Sequence, residues 1–186
     1  MVARPTALEP EALEVRVTAM RRRHLRQVLR IENQVYPRPW SLGLFMGELA
    51  LRTGRIYLVA RVGPRLVGYA GLLFSVDDGH ITTLAVDPEW QRCKVGTRLL
   101  VHLCRQAVAK GARSLTLEVR MSNEGAQQLY RRFGFVPAGV RKGYYVETNE
   151  DAMVMWAHDV DLPAYADRLD EIEAEIPGST IVEWLE

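Results

Sequence analysis

A polar loop joins a predicted strand to a predicted helix in the segment VDPEWQRCKVGTRLL, residues 86–100. The loop carries one glycine, Gly96, and two cations, Arg92 and Lys94, just where the helix begins. The first turn of a helix has backbone N–H groups without intrahelical partners, and the helix dipole favours an anion there. The loop is therefore a candidate phosphate-binding site, and a plain connection between strand and helix is the alternative.

Three further polar residues follow at short spacing. In SLTLEVR, residues 114–120, alternation places Glu118 on the polar face of a strand. In SNEGAQQLYRRFGF, Asn123 stands where a helix N-cap is expected and Tyr130 belongs to a stripe with helical spacing. Each also has a structural explanation. Glu118 could pair with Arg120 or with a cation of a neighbouring strand, Asn123 could be only a cap, and Tyr130 could be a core residue.

Hydrophobic periodicity predicts the elements that position these residues, in the order β-α-α-β-β-β-α-β-α-β-β. The turns Gly63-Pro64 and Asp77-Asp78-Gly79 join three strands into an antiparallel meander. Strands alternate with helices in the second half, which favours parallel crossovers. The predicted fold is α/β (α+β mixed), with a central mixed, mostly antiparallel β-sheet and helices on both faces. The predicted strands are 14–20, 55–62, 66–76, 80–86, 114–119, 135–146 and 150–158, and the predicted helices are 21–36, 42–51, 96–110 and 123–133.

A length of 186 residues with 48% hydrophobic content fits one domain with a single sizeable core. We expect residues 1–14 to be a flexible lead and residues 15–158 to form the domain. Residues 159–186 form an acidic, partly helical extension that either belongs to the same domain or contacts a partner. The helix 96–110 is expected to end at Gly111, the helix 123–133 to end at Gly134, and Ser41 is expected to cap the helix 42–51.

Charge and cysteine content exclude several classes of function. The chain has 24 Lys and Arg against 23 Asp and Glu, so no overall field attracts nucleic acid or an anionic membrane, and the run Arg21–Arg23 is interpreted as an exposed helix face. No apolar run approaches the roughly 18 residues of a membrane span, and no signal-peptide pattern opens the chain, so we expect a cytoplasmic protein. Two cysteines suit a reducing compartment, and four scattered histidines show no metal-ligand spacing, so no metal is expected.

Together these motifs resemble the Gcn5-related N-acetyltransferase (GNAT) superfamily, and more closely its RimI-type ribosomal-protein-alanine branch. The resemblance covers about residues 15–158. The matching segments are YPRPWS (36–41), TLAVDPEWQR (83–92), GTRLLVHL (96–103), LTLEVRMSNEGAQQLYRRFGF (115–135) and RKGYYVETNEDAMVM (141–155).

The resemblance implies an acetyl-CoA site. It implies that the backbone of Leu84, Ala85 and Val86 binds the pantetheine arm, and that the loop wraps the pyrophosphate with its N–H groups. It further implies that Asn123 contacts acetyl-CoA, that Glu118 is the general base, and that Tyr130 is the acid toward the departing thiol. The loop residues are Arg92, Cys93, Lys94, Val95, Gly96 and Thr97.

One loop position departs from the family pattern Gln/Arg-x-x-Gly-x-Gly/Ala. Gln91 and Gly96 match, but Lys94 stands where the first glycine is expected. If the backbone there is left-handed, a side chain costs about 1 kcal/mol or more. A lysine beside a diphosphate offsets that cost by its charge. We therefore expect acetyl-CoA binding to be retained in a weakened form.

The resemblance also places four aromatic residues, Tyr36, Trp40, Tyr144 and Tyr145, in the wall that faces the acceptor, with core packing as the alternative. The expected activity is acetylation of a protein N-terminus, most simply the N-terminal alanine of a ribosomal protein. Acetylation of lysine or of a small-molecule amine on the same fold is the second hypothesis. A catalytically degenerate acetyl-CoA-binding protein is the third. The oligomeric state stays open.

Overall fold

One mixed sheet organises the chain in a computed structural model that describes residues 13–51 and 53–183. Within these residues there are eight strands, in the spatial order β6-β7-β5-β4-β3-β2-β1-β8. Neighbouring strands are antiparallel except for the pairs β4–β5 and β1–β8. The strands are β1 (Glu14–Ala19), β2 (Arg55–Val62), β3 (Arg65–Ser75), β4 (Asp78–Val86), β5 (Ser114–Arg120), β6 (Val136–Tyr145), β7 (Glu150–His158) and β8 (Ser179–Glu183).

Helices cover both faces of the sheet, as predicted. On one face, α1 and α2 bury residues such as Val28, Ile31 and Phe45 against β2 and β3. On the other face, α3 packs against the sheet and α5 packs against α3. The helices in the described residues are α1 (Leu25–Val35), α2 (Leu42–Ala50), α3 (Val95–Ala109), α4 (Glu124–Arg132) and α5 (Pro163–Ala174). None of these helices is long and apolar enough to cross a membrane.

Local capping signals act as the sequence predicts. The Ser41 side chain accepts a hydrogen bond from Leu44 N at 3.2 Å and so caps α2. Beyond the ends of α3 and α4 lie Gly111 and Gly134, with φ of 96° and 84°. These values lie in the left-handed region, where a glycine ends a helix without the steric cost of a side chain.

The predicted turn Asp77-Asp78-Gly79 is wrong in register. The turn is made by Val76 and Asp77, and β4 begins at Asp78. Val76, whose residue surface is 97% exposed, takes the positive φ of 61°. Gly79 lies inside β4, where a Cβ would come within 2.7 Å of Leu115 Cδ2. The glycine therefore makes room for a neighbouring side chain and does not form the turn.

The C-terminal extension packs on the domain. Its helix α5 buries Tyr165, Leu169 and Ile172 in the core cluster that α3 shares. Its strand β8, which the sequence pattern did not predict, pairs in parallel with β1 at the edge of the sheet. Strand β1 begins at Glu14, and residues 1–12 of the predicted flexible lead lie outside the described residues.

Candidate active site

The candidate site is a cleft of about 1140 Å³ that opens where two parallel strands separate. Among the described residues, pairing between β4 and β5 stops at Ile81 and Leu117, although both strands continue. Strand β4 also has a bulge there, because β3 pairs Leu72 with Ile81 and Gly71 with Thr83. A bulge bends its strand and increases its twist. From Thr82 onward, β4 therefore has a free edge whose backbone N–H and C=O groups face the cleft.

The phosphate-loop candidate, residues 92–97, contributes to the lining of this cleft. Arg92 and Lys94 have left-handed backbones, with φ of 65° and 59°, and Lys94 directly precedes α3. The departure from the family pattern thus falls on a position where glycine is the favoured residue. Leu84, Ala85, Val86, Arg92, Lys94, Val95, Gly96 and Thr97 all line the cleft. Cys93 does not line it, and its side chain packs partly against the core.

A buried aspartate anchors the start of the loop. Asp87 accepts hydrogen bonds from Arg30 Nη1 at 2.8 Å and from Arg65 Nη2 at 3.1 Å, and its own side chain is 1% exposed. Burial alone would raise the pKa of the Asp87 carboxyl, but these hydrogen bonds, with one from the backbone of Glu89, hold that pKa below its ordinary value. Asp87 therefore ties the end of β4 to α1 and β3.

Glu118 lies in the cleft between two basic side chains. Its Oε2 is 3.0 Å from His80 Nε2, and its Oε1 is 3.0 Å from Arg141 Nη1. The Glu118 side chain is 6% exposed. Arg120, considered as its partner from the sequence, instead contacts Glu147 and Glu150 and stacks on the Tyr145 ring. Glu118 does contact a basic group of a neighbouring strand, His80 of β4. The pairing considered from the sequence is therefore found, and Glu118 lines the cleft as well.

Tyr130 enters the same cleft from α4. It is 8% exposed, and its ring packs against Phe135 with 5.9 Å between centroids. Tyr130 is therefore packed in the core and also lines the cleft, so neither role considered from the sequence excludes the other. Burial raises the pKa of the Tyr130 phenol, and the nearby phenols of Tyr36 and Tyr145 add to the effect. Tyr130 thus keeps its proton and can donate a hydrogen bond into the cleft.

Asn123 acts as the N-cap of α4, because its Oδ1 accepts from Ala126 N at 3.1 Å. It also lines the cleft. The neighbouring Gln127 is buried and donates to the carbonyls of Arg120 and Met121 at 3.1 and 2.9 Å. These bonds hold the start of α4 to the end of β5 and so set the position of Tyr130 relative to Glu118.

The four predicted aromatic residues all line the cleft. Tyr36 donates a hydrogen bond to Leu84 O at 3.0 Å, so it also braces the exposed edge of β4. Trp40 packs against Phe45, and its backbone N–H donates to the buried carboxylate of Glu32 at 2.8 Å. The rings of Tyr144 and Tyr145 meet edge to face, with 5.1 Å between centroids. These residues therefore combine packing with exposure to the cleft.

The family model of the acetyltransferase (GNAT) family matches residues 25–135, more than half of the chain. The chain belongs to the GNAT family. The matched range begins with α1 and includes the separated strands, the loop, Glu118 and Tyr130. The chain is accordingly an N-acetyltransferase.

Individual GNAT proteins are similar to this one over most of its length. It is 40% identical to a "putative ribosomal protein bS18-alanine N-acetyltransferase" of Bacillus subtilis, covering 75% of this chain and 93% of the relative. It is 35% identical to the ribosomal protein bS18-alanine N-acetyltransferase of Salmonella typhimurium, covering 67% and 84%. The crystal structure of the ribosomal-protein-S18-alanine N-acetyltransferase from Escherichia coli has a TM-score of 0.71 at 28% identity, covering 78% of this chain and 94% of that one.

Two residues of this GNAT site were not predicted from the sequence, His80 and Arg141. The four histidines showed no metal-ligand spacing in the sequence, so none of them was assigned to the site. The register of β4 and β5 was the missing signal, since it pairs His80 with Thr116 and so places it beside Glu118. Arg141 comes from β6, which is separated from β5 by β7 in the sheet.

Proposed function

We propose that this N-acetyltransferase acetylates the α-amino group of a protein N-terminus, the N-terminal alanine of a ribosomal protein, with acetyl-CoA as co-substrate. The observation that carries the proposal is the single cleft in which the free edge of β4, the phosphate-loop candidate, Glu118 and Tyr130 meet. The relatives named as ribosomal protein bS18-alanine N-acetyltransferases support the choice of acceptor.

The residues present fit acetyl-CoA. The edge of β4 offers peptide groups to an amide-containing chain such as pantetheine, and the start of α3 with Arg92 and Lys94 offers donors and positive charge to a diphosphate. A Cβ on Gly96 would meet Val86 Cγ2 at 3.5 Å, an ordinary contact, so protein packing does not itself require glycine at this position. We infer that Gly96 serves the close approach of a ligand.

An amine must be neutral to attack the thioester carbonyl that acetyl-CoA supplies. With a reference pKa of about 7.8, roughly one α-amine in seven is neutral at pH 7, against roughly one lysine amine in 2,500 at about 10.4. Glu118, which contacts His80 in the cleft, is the proposed base that deprotonates the acceptor amines that are still charged. A backbone N–H of Leu84–Val86 is the proposed donor to the oxygen that becomes negative during attack.

Tyr130 is proposed to assist departure of the thiol as a hydrogen-bond donor. Because burial raises the pKa of its phenol, complete proton transfer to a thiolate is unfavourable. Its hydrogen bond nonetheless stabilises negative charge on sulfur. Tyr36, Trp40, Tyr144 and Tyr145 are proposed to form the wall against which the first residues of the acceptor lie.

Acetyl-CoA and a ribosomal-protein acceptor would both be met in the cytoplasm, which we propose as the site of action. The proposed reaction assigns no role to a metal.

Acetyl transfer to short peptides that differ only in their first residue tests the proposal, with free lysine as a second acceptor. We expect the peptide that begins with alanine to have the highest kcat/KM, and lysine to react far more slowly. Preference for lysine or a small amine would contradict the choice of acceptor. Binding of acetyl-CoA without transfer to any amine would support a degenerate acetyl-CoA-binding protein instead.

A further inference from the structure

His80 and Glu118 face each other at the point where β4 and β5 separate. The parallel register pairs His80 with Thr116, and Glu118 is the next β5 residue on the same face. Their closest atoms, Nε2 and Oε2, are 3.0 Å apart, and both side chains line the cleft. The exposed fraction is 27% for the His80 side chain and 6% for that of Glu118. The imidazole therefore has the better access to water and to an incoming amine.

Arg141 already supplies Glu118 with a permanent counter-ion. Its Nη1 is 3.0 Å from Oε1, the oxygen that His80 does not contact. A guanidinium stays charged throughout the pH range of a folded protein. The carboxylate thus keeps a positive partner while His80 is neutral. A neutral imidazole with Nε2–H toward Glu118 has an unprotonated Nδ1 that can accept a proton.

Reference pKa values favour an imidazole over a carboxylate as the proton acceptor. An α-ammonium group has a reference pKa of about 7.8, an imidazole about 6.5 and a glutamate about 4.3. Proton transfer from the ammonium is then unfavourable by roughly 20-fold to an imidazole and by roughly 3,000-fold to a carboxylate. A histidine in contact with the carboxylate therefore performs the deprotonation more readily than the carboxylate alone.

We propose that His80 and Glu118 act as one base, in which the His80 imidazole takes the proton and Glu118 orients it and stabilises the imidazolium. This inference rests on the proposed acetylation of an α-amine. His80 removes one proton from the acceptor ammonium, directly or through one water, and later releases it to solvent. The neutral amine forms the C–N bond as the C–S bond breaks, and the second nitrogen proton ends on the thiol. No proton is transferred to Glu118 in this sequence of steps.

Arg141 from β6 and the phenols of Tyr144 and Tyr145 face this pair. Arg141 forms an ion pair with Glu118, and the negative charge of Glu118 adds to the burial that raises the pKa of both phenols. Arg141 does not titrate, and burial raises the pKa of both phenols, to about 12 for Tyr145. Neither Arg141 nor the two phenols is therefore the proton acceptor of this set. Because only a neutral imidazole accepts a proton, kcat/KM is expected to fall at acid pH.

Kinetics of His80 variants test the pair. We expect His80→Gln to lower kcat at pH 7 about 100-fold with acetyl-CoA affinity changed less than twofold, because a general base contributes 10²- to 10⁴-fold. The acid limb of the pH profile should be absent from this variant. His80→Ala should gain rate on addition of free imidazole, whereas Glu118→Gln should not. His158→Gln, at an exposed histidine of β7 outside the cleft lining, is the matched control and should keep the wild-type rate.

The outcomes separate this inference from the proposed function. An active wild type whose His80→Gln variant keeps kcat and its pH profile overturns the shared base and leaves Glu118 acting alone. A wild type that acetylates no amine overturns the proposed function, and the inference with it. Nitrogen-15 NMR gives a readout without turnover. We expect His80 Nε2 to carry the proton that faces Glu118, with the tautomer balance altered by Glu118→Gln. A tautomer balance that Glu118→Gln leaves unchanged would show that the carboxylate does not orient the imidazole, which also overturns the inference.

Discussion

Tyr130 shows how burial limits the chemistry of one side chain. The phenol lies in the cleft yet is 8% exposed, and burial raises its pKa. A phenol that holds its proton strongly stabilises a thiolate by hydrogen bonding more readily than by giving up the proton. The periodicity of α4 predicted a buried tyrosine, but it could not show that Tyr130 lines the same cleft as Glu118.

We expect Tyr130→Phe to lower kcat about 10- to 100-fold, because the variant loses one hydrogen bond to the developing charge on sulfur. The KM for the acceptor peptide should change little, and thermal unfolding should be close to that of the wild type. Tyr165→Phe is the matched control, since Tyr165 is a buried tyrosine of α5 that does not line the cleft. Equal rates for Tyr130→Phe and this control would remove Tyr130 from the reaction.

The loop between β4 and α3 combines an anchor with local strain. Asp87 ties its start to Arg30 and Arg65, whereas Arg92 and Lys94 take left-handed backbones that glycine adopts more easily. The family pattern has a glycine at the position of Lys94, and the structure gives that position a left-handed backbone. The sequence did not indicate the same geometry at Arg92, because no glycine is expected at that position of the pattern.

Replacing Lys94 separates the backbone cost from the charge. Lys94→Gly should raise the free energy of unfolding by about 1 kcal/mol, which corresponds to a rise in Tm of roughly 2–4 °C. Acetyl-CoA affinity, measured by calorimetry, should fall about fivefold because a cation beside the diphosphate is lost.

Lys94→Gln is the companion variant, since it removes the charge and keeps the strained backbone. It should show the same loss of affinity with an unchanged Tm. Tighter binding of acetyl-CoA by Lys94→Gly than by the wild type would mean that the lysine obstructs the site. Its charge would then not offset the absence of glycine at this position.

At the scale of the whole molecule, the C-terminal extension completes the sheet and the core beneath α3. Arg98, a fully buried residue of α3, donates hydrogen bonds to Thr180 and to the carbonyl of Pro177. Farther along α3, Arg105 contacts Asp170 and Glu173, each at 2.6 Å. The extension therefore holds the same helix whose first turn forms part of the phosphate-loop candidate.

Deleting residues 159–186 is expected to unfold the protein rather than release an active core. Burial of Tyr165, Leu169 and Ile172 contributes about 2 kcal/mol each, or about 6 kcal/mol together, which is comparable to the total stability of a domain. Size-exclusion chromatography and thermal unfolding measure the effect. Glu171→Gln, at an exposed position of α5, is the control and should leave Tm unchanged. A soluble deletion variant with the wild-type Tm would show that the extension is dispensable for folding.

Features that depend on near neighbours along the chain were predictable from the sequence alone. Alternation placed Glu118 on the polar face of β5, helical spacing placed Tyr130 on the packed face of α4, and Ser41 and Asn123 were identified as caps. These signals are local because helix and strand periodicity and capping bonds span only a few residues. The match to known motifs added the family, since it depends on residue identity at set spacing.

Contacts between residues that are far apart along the chain could be identified only in the folded protein. The contact of His80 and Arg141 with Glu118 depends on the register of β4 and β5 and on the packing of β6, and the place of β8 depends on its parallel pairing with β1. Pairing between strands is set by the total burial and backbone hydrogen bonding of the whole sheet, which no short segment encodes. For this reason the carboxylate was predictable from one strand, whereas the partners that shape its chemistry were not.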